Sequence, residues 1–222
     1  MEDAVVLVMT CQKFEQCWEP FFLLFKKYWP ECPYRVVMGT DKGKYPGVET
    51  ISIGTDLGWV QNCIYVLNII NAKKIIIFFE DFLPCSKFDN TRIIQLVNHS
   101  IEHNIGCLRL QPCPGPTATW DHDKSLGILQ VGDNYRFSWQ TAIWDKQTLL
   151  SLLDPKESPW ETEVKGTKRT YLCNEPFISV KRGESPVPYI ITAVVKGKWQ
   201  QSALDLLKKE NIPMDKITPI IR

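Results

Sequence analysis

The chain has 222 residues, of which 44% are apolar, with 26 lysines and arginines set against 25 aspartates and glutamates. That length and apolar share are enough for one compact domain with a full core. The even charge balance argues against a nucleic-acid partner, which calls for a basic face. The longest apolar stretch, residues 74–79, is far shorter than the ~20 residues of a membrane-spanning helix, and Met1-Glu2-Asp3 is acidic where a secretory leader is basic. The chain therefore reads as cytoplasmic, without a transmembrane segment. Its eight cysteines include no Cys-x-x-Cys pair, and in a chain with a real core they read as free thiols rather than disulfides or zinc ligands.

In chain order, residues 4–9 form a short apolar run that opens into Thr10-Cys11, the pattern of a buried strand leading to a loop. Residues 17–29 carry Trp18, Phe21, Phe22, Phe25 and Trp29 at helical spacing and stop at Pro30. Strands are predicted over 34–38 and 50–53, with a turn at 39–43. A helix follows over 59–70, then the strongest strand of the chain over 74–79. A helix over 92–103 and a strand over 106–110 complete the first half. This alternation predicts a mostly parallel sheet covered on both faces, an α/β fold.

Beyond Pro112 the pattern weakens. Residues 112–116 read as a loop, and polar sequence without period continues to Asp133. A strand over 135–144 and a short helix over 146–153 are predicted next. Residues 155–169 read as a charged, turn-rich loop, and an amphipathic helix over 200–210 closes the chain. The chain thus reads as a single domain over 1–222, with a nucleotide-binding half (1–111) and an acceptor-binding half (112–222). Ligands of open α/β sheets sit beyond the carboxyl ends of the strands. That rule points to residues 10–14, 80–82 and the loop after Leu110.

Three segments there carry chemistry. Glu80-Asp81 directly follows the strongest strand, where two adjacent acids either meet water or hold a hard divalent ion carrying a diphosphate. Pro159-Trp-Glu-Thr-Glu163 sets Glu161 and Glu163 beside an indole, either as a charged loop or as a general base with a sugar-stacking platform. Lys196-Gly-Lys-Trp199 offers two lysines at a helix entrance, suited to phosphate. His99 and His103, four apart, read as a solvated helix face. Asp121-His-Asp123 reads as a mobile acceptor-side loop, and Cys11 as a packing residue. No phosphate-cradling P-loop, Gly-x-Gly-x-x-Gly or Gly-x-Ser-x-Gly motif occurs, which counts against NTPases, nicotinamide dehydrogenases and α/β-hydrolases.

Taken together, Thr10-Cys-Gln-Lys-Phe14, Lys27-Tyr-Trp-Pro-Glu-Cys-Pro-Tyr34, Gly58-Trp59, Phe79-Glu-Asp-Phe-Leu83, Cys107-Leu-Arg-Leu-Gln-Pro-Cys-Pro-Gly-Pro116, Gly132-Asp-Asn-Tyr-Arg-Phe-Ser-Trp-Gln140 and Lys196-Gly-Lys-Trp199 carry a resemblance. The chain resembles small GT-A-fold glycosyltransferases of bacteria and of large DNA viruses such as the chloroviruses. The resemblance implies transfer of a sugar from a nucleotide-diphosphate donor, of the UDP kind, to a hydroxyl of a glycan acceptor. It implies Mn²⁺ or Mg²⁺ held by Asp81 with Glu80, at a position where such enzymes carry Asp-x-Asp and this chain has Glu80-Asp81-Phe82. It further implies donor contacts from Thr10, Gln12, Lys13, Asp56, Trp59 and Gln61, leaving-group neutralisation by Lys196 or Lys198, and an inverting displacement with Glu161 as base and Glu163 as second choice. The rival readings are a sugar nucleotidyltransferase, against which the absence of glycine from 10–14 counts, and a non-catalytic carbohydrate-binding or degenerate transferase domain.

Overall fold

The computed structural model describes residues 1–214. The first strand, β1 (Glu2–Met9), leads through a 3-10 segment (Gln12–Cys17) into α1 (Trp18–Tyr28), followed by β2 (Arg35–Thr40) and β3 (Glu49–Ser52). Helix α2 (Trp59–Ile69), β4 (Ala72–Phe79), a two-residue strand β5 (Leu83–Pro84), α3 (Asn90–Glu102) and β6 (Cys107–Arg109) complete the first half. The second half contributes β7 (Ala118–Thr119), β8 (Leu126–Ile128), β9 (Ala142–Asp145), α4 (Lys146–Leu152), α5 (Pro159–Arg169) and β10 (Phe177–Val180). Short pairs β11 (Tyr189–Ile190), β12 (Val194–Val195) and β13 (Lys198–Trp199) precede α6 (Gln201–Lys209).

Nine strands form one sheet in the order β3-β2-β1-β4-β9-β6-β10-β8-β7. Strands β1 to β4 pair in parallel, whereas β9 and β8 run against both of their neighbours, so the other strands share one direction. The expected α/β domain, a large mostly parallel sheet flanked by helices, is the one found. Its two sequence halves interleave: β9, from the second, lies between β4 and β6 of the first.

The alternation of side chains along β4 divides the core into two layers. Phe78 faces α1, meeting Phe21 and Phe25 edge-on and stacking on Phe88 ahead of α3. Phe79 faces the other way, against Trp59 of α2 and Trp139. Residues 75–78 are fully buried, as a strand covered on both faces requires.

Elements of the first half lie within about three residues of their expected bounds. The second half departs in three places. Residues 135–144 yield a strand only at Ala142–Asp145, because Tyr135 takes a left-handed backbone (φ 55°). The buried Arg109 guanidinium also claims two carbonyls of that segment, donating to Tyr135 (2.6 Å) and Arg136 (3.2 Å), and a third at Pro114 (2.7 Å). The aperiodic stretch before Asp133 contains the β7–β8 hairpin, too short to show a period. The turn-rich 155–169 segment is mostly helix α5. At its start Ser158 and Glu161 form a reciprocal capping box with Pro159 at the first turn. Gly166 lets α5 approach Phe137, whose ring would sit 3.2 Å from an added Cβ.

Candidate active site

The carboxyl ends of β1, β2 and β4 meet at one edge of the sheet. Thr10, just past β1, is buried; its Oγ1 accepts from the Trp18 indole N–H (2.7 Å), and its hydroxyl hydrogen-bonds the Glu80 carboxyl. Two residues on, the Gln12 amide donates to Oδ1 of Asp41 (2.6 Å), a buried acid just past the end of β2. Asp41 was not anticipated, and a polar residue closing the second strand was the signal for it. Gly43, at φ 80°, makes the following turn: an added Cβ would run into the Gln12 side chain. A cleft of about 630 Å³ opens beside that turn, lined by residues 43–48 with Thr50 and Ser52.

Glu80 and Asp81 end β4 in unlike surroundings. Glu80 points to the α1 side, where burial first, and the charge of Asp81 second, drive its pKa well up; the Thr10 hydroxyl opposes this without prevailing. Asp81 is partly exposed, and desolvation raises its pKa to about 6 even though the Val194 amide bonds its carboxylate. No cation of the described residues offsets either acid. Among those residues no three His, Cys, Asp or Glu side chains converge around a metal-sized point.

The β12–β13 hairpin closes over Asp81. The Ala193 amide donates to the Asp81 carbonyl (2.8 Å), and the Trp199 indole donates to Gln16 (3.2 Å) in the 3-10 segment after β1. Lys196 and Gly197, both with positive φ, make the turn, so Lys196 and Lys198 stand exposed on a hairpin fastened beside the acid pair.

The remaining anticipated residues divide. Lys13 is exposed in the 3-10 segment, and Gln61 is exposed on α2. Asp56 organises the start of α2, accepting from Gly58 N (2.9 Å) and Asn62 Nδ2 (2.9 Å). Trp59 is half-buried and meets Phe79 and Trp139, with ring centroids 5.4 and 4.7 Å away. Glu163, inward on α5, accepts from Ser138 Oγ (3.0 Å) and the Trp139 amide (2.9 Å), both on Oε1. This fastens it to the aromatic cluster under the end of β4. Glu161 faces away. Trp160 does not shield it: the indole is 75% exposed, and the Ser158 amide, Lys165 and the Ser158 hydroxyl pull the pKa of Glu161 down to about 2, which counts against it as the general base. A capping carboxylate is stabilised in its charged form by the amides it caps.

No protein-family model matches the chain, and no curated protein does. Solved structures do. Residues 1–349 of TarS from S. aureus superpose with a TM-score of 0.57 at 13% identity, covering 87% of this chain and 61% of that one. The same protein in complex with UDP gives 0.52 at 12%, covering 81% and 60%. A cytidylyltransferase from Leptospira borgpetersenii gives 0.53 at 13%, with both chains covered completely. The chain shares its fold with TarS and with that cytidylyltransferase. It spans about three fifths of the TarS fragment, and the structures named here are bacterial. Among the described residues no helix is long and apolar enough to cross a membrane, and all eight cysteines are unpaired.

Proposed function

We propose that the protein is a glycosyltransferase that moves a sugar from a nucleotide-diphosphate donor, of the UDP kind, to a hydroxyl of a glycan acceptor. The observation that carries this reading is the Glu80-Asp81 pair, desolvated and without a cationic partner among the described residues, at the carboxyl end of a central strand in this fold. A buried acid pair in want of positive charge fits a divalent ion. Asp81 would be its protein ligand, with Glu80 behind it; such an ion, when bound, offsets the charge that grows on a leaving diphosphate.

In this reading Thr10, Gln12 and Lys13, just after β1, would meet the donor's nucleotide, and Asp56, Trp59 and Gln61, before and at the start of α2, its base or ribose. Lys196 and Lys198 bring positive charge toward the phosphates from the hairpin above Asp81. Of the two candidate bases, Glu163 is the better placed. Its Oε1 is occupied by Ser138 and Trp139, leaving Oε2 to accept the acceptor's proton, while Glu161 is committed to its cap. An inverting displacement follows if that proton leaves as the acceptor oxygen attacks opposite the diphosphate.

The second reading, a nucleotidyltransferase, is supported by the complete mutual coverage with the cytidylyltransferase. The two reactions differ in what they release. A panel of sugar nucleotides with and without Mn²⁺ should give a nucleoside diphosphate if the first reading holds. Pyrophosphate from a nucleoside triphosphate and a sugar phosphate would replace it with the second.

A further inference from the structure

The chain has three histidines, and the fold gathers all of them. His99 and His103 lie one turn apart on α3, ring centroids 4.3 Å from each other; His122, from the loop joining β7 and β8, lies 4.3 Å from His103. Trp120 of the same loop packs against all three rings, at 6.4, 6.2 and 4.9 Å from His99, His103 and His122. Its indole N–H donates to Nε2 of His99 at 2.9 Å. We propose that this cluster is an acid-opened latch, which holds the β7–β8 loop on α3 when the imidazoles are neutral and releases it on mild acidification.

The loop's one bond to the latch needs an unprotonated Nε2 on His99. A proton there turns the acceptor into a donor facing the Trp120 donor, and the bond is lost. Protonation of a second ring then sets two like charges about 4.3 Å apart on neighbouring imidazoles. Half-burial, and after it His103, already hold the His99 pKa below its ordinary value.

The charged groups facing the cluster do not cancel this. From α3 come Glu102 and Arg92; from the loop come Asp121, Asp123 and Lys124. Glu102 and Asp123 favour a charged His99, but burial and the neighbouring imidazoles outweigh them. Asp123 is engaged elsewhere, accepting from Arg92 (2.8 Å) and Ser125 (2.7 Å). Burial alone would raise its pKa, yet these bonds bring it down to about 2. The Arg92–Asp123 contact therefore persists through mild acid as a hinge, and release is confined to Thr119–His122. The inference stands apart from the transferase reading, since no residue of the acid-pair site takes part.

With only three imidazoles, the test is a side-chain NMR titration from pH 8 to pH 5, assigned with His99→Gln, His103→Gln and His122→Gln. His99 should titrate at the most acidic midpoint, and that midpoint should rise in His103→Gln and in Trp120→Phe. Amide exchange of residues 119–122, corrected for its intrinsic pH dependence, should quicken at least tenfold between pH 7.5 and pH 5. It should not respond to pH in the His99→Gln/His103→Gln double variant, whether that loop is then closed or open. Three independent curves at the ordinary histidine midpoint, or a tenfold response that survives in the double variant, would overturn the latch.

Discussion

The two sides of the sheet were built by different rules. On one side, β3, β2, β1 and β4 all run parallel, with α1 between β1 and β2 in the chain and α2 between β3 and β4. On the other, β9, β6, β10, β8 and β7 are short, arrive out of order, and are tied together by side chains such as Arg109 reaching carbonyls across loops. The regular side supplies a rigid edge on which Thr10, Asp41, Glu80 and Asp81 are fixed by their position just past the ends of strands. The irregular side supplies Glu163, Trp139 and the hairpin above Asp81, whose places depend on distant contacts. The comparison teaches that the acid pair is placed by the long parallel strands it follows, whereas Glu163 and the hairpin are placed by contacts between segments far apart in the chain.

Glu163→Gln attacks the irregular side directly. It keeps Oε1 for Ser138 and Trp139 but cannot take a proton, so transfer should fall ~10²–10⁴-fold with donor affinity unchanged. Steady-state rates with the parent and Glu161→Gln beside it check this; full activity in Glu163→Gln would remove the base from α5.

Stability separates the sides next. Ile76, fully buried in β4, should cost ~2–5 kcal/mol as alanine, while half-buried Ile128 of β8 should cost below ~2 kcal/mol. Urea midpoints that reverse this order would break the comparison.

Asp81 tests the regular edge from the opposite direction. Its folded pKa of about 6 lies above the ordinary aspartate value of 3.8, so the folded state holds more protons between those values, and stability falls as the pH rises through that window. Asp81→Asn should therefore raise the melting temperature at pH 7, by about 1–2 kcal/mol of stability after allowance for partial exposure, and flatten the dependence between pH 4 and 6. The same variant should lower turnover. A less stable Asp81→Asn protein would show the carboxylate to be structurally satisfied. The smallest effect is expected at the cap: Ser158→Ala should cost ~1 kcal/mol by thermal melting.

Legibility follows the same division. The apolar run of β4 and the aromatic spacing of α1 are signals carried by adjacent residues, so strand, helix and the acid pair at their edge could be read directly. Strand β10, Phe177–Val180, lies between β6 and β8 yet was not read, because four residues after a proline carry too little period. Helix α5 was hidden by Pro159 and Gly166, each of which has a specific place in it. Glu161 and Glu163 looked equivalent in sequence. Only the start of the helix, which assigns one to its own cap and turns the other toward Trp139, separates them.

The placement of β9 between β4 and β6 also bears on how the protein is made. A ribosome delivers β4 some sixty residues before the strand that must lie beside it. Through that interval the most apolar strand of the chain has an open edge, a template for pairing with any other extended segment nearby. The N-terminal half thus has no finished form of its own, and release from the ribosome before Asp145 should leave a species that self-associates rather than folds.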